Sequence, residues 1–149
     1  MRLALTLCTA LLLTACVPAG PNDAPGAMRT FRGNLVVPDP IHPGQFEVFS
    51  RPGDGGGDFW CAAAEFAENE LKALPNRRIY LVTPRGPSRT RPGTTSVVFT
   101  VSPDAALLKA AAALPERNYT LGVSRPGRNF MALHGRISCR PIYTLPFDI

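Results

Sequence analysis

Between Phe59 and Leu71 apolar residues recur at helical spacing. Phe59, Ala62, Ala63, Phe66, Ala67 and Leu71 share one face, while Glu65, Glu68, Asn69 and Lys72 fall elsewhere. The pattern predicts an amphipathic helix over residues 59–73, with Asp58 as its N-cap and Leu74-Pro75-Asn76 as its stop. Upstream, Phe31, Gly33, Leu35 and Val37 alternate with Arg32 and Asn34, which predicts a strand with one face toward the core. Pro38-Asp39-Pro40 and His42-Pro43-Gly44 turn the chain into a second strand over 45–50, and the pair reads as a hairpin. Residues 78–82 and 96–101 are apolar on both faces, as central strands are. Ser102 as N-cap and Pro103 at the first helical position open an Ala/Leu-rich helix reaching Leu114. Tyr119, Leu121 and Val123 mark a fifth strand. Phe130, Leu133, His134 and Ile137 then repeat at i, i+3, i+4, i+7, predicting a third helix that Gly135 weakens.

The resulting order, β-β-α-β-β-α-β-α, predicts an α+β fold. A mixed or antiparallel sheet of about five strands packs with two or three helices in one domain, residues 30–149, the size that one hydrophobic core serves. Ahead of it, residues 16–29 carry three prolines and two glycines between Pro18 and Met28 without apolar periodicity, and read as a flexible tether. Ahead of the tether, Met1-Arg2 leads into an apolar run, Leu3 to Leu13, too short to cross a bilayer as a helix.

That run closes on Leu13-Thr14-Ala15-Cys16, which resembles the lipobox of a bacterial lipoprotein signal peptide. The alternative is a core helix that happens to contain a cysteine. The resemblance implies removal of residues 1–15 and a mature chain that begins at Cys16. Its sulfur would carry diacylglyceryl and its amine a further acyl chain such as palmitate, enough methylenes for stable anchoring. Val17 stands where an Asp favours inner-membrane retention, so the same resemblance implies an outer-membrane anchor facing the periplasm. The rest of the chain, through Phe59-Trp60-Cys61-Ala62-Ala63-Ala64 and Cys139, resembles small exported proteins of Gram-negative bacteria, alphaproteobacteria among them, that have no assigned activity. It transfers no catalytic residue.

Export also sorts the four cysteines. Cys8 would leave with the signal peptide and Cys16 would carry lipid. Cys61 and Cys139 would then pair in an oxidising compartment, closing a loop of about 79 residues. A competing reading keeps Cys61 as a thiolate at a helix start with His134 as its base, the two elements of a cysteine hydrolase of the cell envelope.

Composition adds little specific chemistry. There is no Gly-x-Ser-x-Gly, no His-Glu-x-x-His and no paired-Cys zinc spacing, and His42 and His134 are the only histidines. Gly53-Asp54-Gly55-Gly56-Gly57-Asp58 lacks the Gly-Lys-Ser/Thr ending of a phosphate loop and offers too few oxygens for calcium, so it reads as a flexible linker. No catalytic residue, metal or cofactor is expected. What stands out is charge, formally +5, with arginine supplying all but Lys72 and Lys109 of the basic side chains. Arg51-Pro52-Gly53, Arg91-Pro92-Gly93 and Arg125-Pro126-Gly127 each suit a type II turn. The stretch 83–93 between two central strands reads as a long loop with three arginines and no acid. Arg51, Arg85, Arg89, Arg91, Arg125 and Arg128 are therefore the candidate anion-binding residues, against the alternative of a merely solvated arginine surface. The expectation is a non-enzymatic envelope binding module. Its partners would be the membrane through the lipid, and anionic envelope polymers, anionic lipids or another envelope protein. Nucleic acid is disfavoured by the compartment.

Overall fold

The structure is a computed structural model that describes residues 24–115 and 120–139. The expected signal peptide, Cys16, most of the tether and Tyr119 lie outside the described residues. Six strands form one antiparallel sheet: β1 (Met28–Arg29), β2 (Leu35–Pro38), β3 (Gln45–Phe49), β4 (Arg78–Pro87), β5 (Thr95–Thr100) and β6 (Asn129–Met131), in the order β1-β2-β3-β5-β4-β6. Three helices complete the domain: α1 (Gly56–Asn69), α2 (Ala105–Ala112) and α3 (Ala132–Ile137). The architecture is the expected single-domain α+β fold, with one strand more than the alternation predicts. The hairpin of β2 and β3 forms as expected, Val36 opposite Val48. β1 draws Met28 and Arg29, the end of the expected tether, into the sheet. None of the described helices is long and apolar enough to cross a membrane.

Period-two alternation sends Val36, Phe46, Val48, Val97, Phe99, Ile79 and Leu81 to one face, where α1 lies. Trp60, fully buried, stands edge-on to Phe99 and Phe130, each ring centroid 4.8 Å away, and Phe46 meets Phe66 at 4.7 Å. Helix α1 is not amphipathic in place, because every residue from Phe59 to Ala67 is buried. The sheet covers one side, and α3 together with the turn after β1 covers the other. Glu65 tolerates this because its Oε1 accepts the Phe31 N–H at 2.8 Å, while Arg136 faces its Oε2 at 3.6 Å. The predicted disulfide is present: Cys61 and Cys139 are bonded, tying the second turn of α1 to the end of α3 across 78 residues of sequence.

Several boundaries differ from the sequence pattern, each for a physical reason. Helix α1 begins at Gly56 with Gly55 as N-cap, and Asp58 sits three residues inside, its carboxylate accepting the Gly55 N–H at 2.9 Å. The second half of the glycine run, Gly56-Gly57-Asp58, is thus the packed first turn of a helix, while Gly53-Asp54-Gly55 lead into it. A Cβ on Gly56 would lie 1.9 Å from the Leu121 carbonyl oxygen. Phe31 is no core-facing strand residue but stands 85% exposed in the turn between β1 and β2. The expected loop over 83–93 is shorter. β4 runs to Pro87, accommodating its prolines through register shifts around Thr83, and leaves 88–94 as the connection.

The expected fifth strand does not form over its described residues, 120–123. Past those shifts, Val123 reaches β4 only through its carbonyl, which accepts the Arg85 N–H at 3.0 Å, and the chain enters the sheet later, at β6. In α2 the N-cap is Asp104, accepting the Leu107 N–H at 2.7 Å, in place of Ser102, and no residue of this helix is buried. In α3 the buried residues are Ala132 and Gly135, with Leu133 and Ile137 exposed. A Cβ on Gly135 would stand 2.7 Å from both the Ala64 Cβ and the Trp60 carbonyl oxygen, so only glycine lets the two helices approach this closely.

Candidate anion-binding site

All three Arg-Pro-Gly segments are type II turns. In each, the fourth residue's N–H reaches the arginine carbonyl: Asp54 to Arg51 at 3.2 Å, Thr94 to Arg91 at 3.3 Å and Arg128 to Arg125 at 3.3 Å. Gly53, Gly93 and Gly127 hold the positive φ that this turn demands at its third position. Proline presets the second position, so the sequence dictates the turn and with it where each arginine leaves the sheet.

Strand directions sort the candidates between the two ends of the sheet. Arg51 follows β3, Arg85 lies late in β4, and Arg89 and Arg91 occupy the connection to β5, so these four share one end. Arg85 is the best fixed. Its guanidinium donates to the Asp54 carbonyl at 2.9 Å and to Ser50 Oγ at 3.1 Å, and stands 5.3 Å over the Phe59 ring. Asp54 in turn accepts the Arg51 N–H at 2.7 Å and the Asn34 side-chain amide at 2.6 Å. Arg32, which the sequence pattern did not single out, joins the group by pairing with Asp58. Arg32 and Arg85 therefore hold the start of α1, through the Asp58 carboxylate and the Asp54 carbonyl, while Arg51 gives its backbone N–H to Asp54 and lays its guanidinium beside Gly33.

The arginines of the hairpin tip are placed differently. Glu47, buried on the sheet face opposite α1, accepts from Ser96 Oγ and Thr90 Oγ1 at 2.5 Å each. The Thr90 hydroxyl pins the β4–β5 connection over β3, the Ser96 hydroxyl ties β5 to the same carboxylate, and Arg89 and Arg91 are left exposed on the connection. Arg125 is exposed on its own turn, which packs beneath α2 at Gly127. Arg128 is 6% exposed and spends its Nη1 on the Thr120 carbonyl and on Thr120 Oγ1, the latter at 2.7 Å. The six candidates therefore do not form one pocket. Arg51 and Arg85 gather with Arg32, Arg89 and Arg91 share their end of the sheet, Arg125 stands apart and Arg128 faces inward.

The Cys61 and His134 pair does not assemble as a nucleophile and base. Cys61 is fully buried in the second turn of α1 and bonded to Cys139, and His134 is exposed on α3. Glu65 lies close to both sulfurs, within 4.8 Å, but these are joined to each other and so do not present thiolates to a metal.

At the other end of the sheet the chain enters the domain, Gly26 resting against the Pro38 ring just before β1. The turn from β2 to β3 lies there too, organised by Asp39. Burial raises the pKa of that carboxyl. Hydrogen bonds from the His42 ring, the Ile41 and His42 amides and the Gln45 side chain outweigh it and bring the pKa to about 2. The arginine end and the entry point of the chain are thus opposite ends of the same sheet. Comparison with protein-family models, curated proteins and solved structures returned no match to this chain.

Proposed function

We propose that this is a lipid-anchored protein of the bacterial cell envelope, attached through Cys16, probed by partners at the arginine end of its disulfide-stapled domain. The observation that carries the reading is a polarity of placement. The chain arriving from Cys16 enters at one end of the sheet, and Arg32, Arg51, Arg85, Arg89 and Arg91 crowd the other. An anchored domain of this build turns a positive end away from its own point of attachment, toward anionic envelope polymers or lipids or an acidic envelope protein. The lipobox-like Leu13-Thr14-Ala15-Cys16 supports the anchor, and a disulfide between Cys61 and Cys139 suits an oxidising compartment. The role is binding without catalysis, and the outer membrane, facing the periplasm, is the proposed location.

Capture from solubilised envelopes tests the binding half of the reading. The lipidated protein should retain anionic polymer, lipid or an acidic protein, and Arg51→Glu with Arg91→Glu should release it. Equal capture by this variant would contradict a role for the arginine end.

A further inference from the structure

A second basic site lies at the end where the chain enters, opposite the arginine end. After α1 the chain turns at Leu71–Leu74 and runs into β4, and between this turn, the start of β4 and the end of β5 is an open groove of about 720 Å³. That volume falls in the range of small-molecule sites. Lys72, Arg77 and Arg78 line it together with Asn76, Tyr80 and Ser102, and no acidic residue is among its walls. Glu70 and Asp104, the acids next to its walls in sequence, cap the end of α1 and the start of α2 and are not among those walls.

The cations are held, not loosely displayed. The Ala132 N–H donates to the Arg77 carbonyl at 2.9 Å and the Leu133 N–H to the Pro75 carbonyl at 3.0 Å, fixing the backbone that carries both arginines. Arg78 donates to Asn129 Oδ1, a neutral acceptor that orients the guanidinium without cancelling its charge. No hydrogen bond or ion pair from a described residue engages the Arg77 side chain. Lys72 is the one described non-glycine residue with positive φ, 54°. It occupies the left-handed position that ends α1, bracketed by the Ala73 N–H donating to the Ala67 carbonyl at 2.9 Å, where glycine is the unstrained choice. Its ammonium donates to the Asn69 carbonyl at 2.5 Å, which holds the charge at the rim of the groove, beside the C-terminal end of α1.

We propose that this groove binds a phosphate monoester group, with Arg77 and Arg78 as its principal donors and Lys72 and Tyr80 at its rim. Three positive charges match a group that carries close to two negative ones near neutral pH, and planar guanidiniums suit its oxygens. The same group could reach the groove on a soluble phosphate ester or on a phospholipid headgroup. The site stands whether or not Cys16 is lipidated.

The test uses residues 16–149 with Cys16→Ser, since all the described elements and the buried core follow residue 27. Backbone amide resonances are followed during titration with inorganic phosphate, with glycerol 3-phosphate, and with phosphatidylcholine vesicles containing phosphatidic acid. Saturable shifts at 71–78 and 101–103 are expected, without shifts at 51–54 or 88–94. Response to glycerol 3-phosphate assigns a soluble ester as the source, whereas response to the vesicles alone assigns a headgroup. Arg77→Gln should weaken binding roughly tenfold, the scale of one charge-assisted hydrogen bond. Lys72→Gly should weaken it while leaving the melting temperature equal or higher, a separation that a purely structural lysine would not produce. Absence of shifts with every probe, shifts confined to the arginine end, or affinity unchanged in both variants would overturn the proposal.

Discussion

Gly135 of α3 lies so close to Trp60 of α1 that a single added methyl carbon would stand 2.7 Å from the Trp60 carbonyl oxygen. The contact explains how nine consecutive residues of α1 come to be buried, and why the disulfide one turn further along can close. Gly135→Ala should therefore push α3 outward and cost about 1–3 kcal/mol, the usual cost of overpacking a filled interior. Trp60 fluorescence during denaturant unfolding would report it as a lower midpoint. An unchanged midpoint would mean that α3 contributes little to the packing of α1.

The disulfide should add to the same region. Cys61→Ala with Cys139→Ala, or reduction of the natural chain, should lower stability by about 2–4 kcal/mol. Either single substitution should add covalent dimers through the remaining thiol. Identical unfolding with and without reductant would remove the staple from the account.

Glu47 fastens the β4–β5 connection through Thr90 and the start of β5 through Ser96. Glu47→Ala removes the shared acceptor of two hydroxyls and should cost about 1–3 kcal/mol. It should also speed amide exchange across 88–94 well beyond any change at β2 or β3. Uniform acceleration throughout the sheet would indicate global destabilisation instead of a released hairpin tip.

Acid should act through Asp39. Its pKa is depressed from 3.8 to about 2, so the folded state holds the ionised form more strongly than the unfolded chain does. The stabilisation is complete above about pH 4 and is lost as pH falls toward 2. Asp39→Asn should abolish that part of the acid dependence, seen as a flatter melting-temperature profile between those pH values. A profile as steep as that of the natural chain would assign the acid sensitivity to other groups.

Much of this architecture was legible in the amino-acid pattern, where the pattern reflects burial. The helix over Phe59–Ala67, the strands near 45–50 and 96–101, and the Arg-Pro-Gly turns all form where the sequence places them, because periodicity and proline stereochemistry are local. β2, in contrast, forms in the opposite phase, with Val36 and not Leu35 and Val37 joining the core. What the pattern could not show depends on contacts distant in sequence. Gly56 looks like linker and Gly135 like a helix weakness until Leu121 and Trp60 are seen against them. Phe31 alternates correctly with its neighbours but sits in a turn whose N–H is held by Glu65, thirty-four residues away. For the candidate site, arginine-rich segments were visible, but not that Arg128 turns inward or that Arg32 joins Arg51 and Arg85. Lys72, Arg77 and Arg78 carried no local motif, since the fold alone brings them to one groove.

The central claim, an exported domain anchored at Cys16 and closed by one disulfide, meets its most direct test in the intact mass of the protein isolated from envelopes without reductant. The account predicts a chain that begins at Cys16, heavier than its amino acids by a diacylglyceryl group and an amide-linked acyl chain, and lighter by two hydrogens. Reduction should restore the two hydrogens and leave the lipid in place. A mass equal to the unmodified chain from Met1, or a lipidated chain whose Cys61 alkylates without reduction, would contradict it.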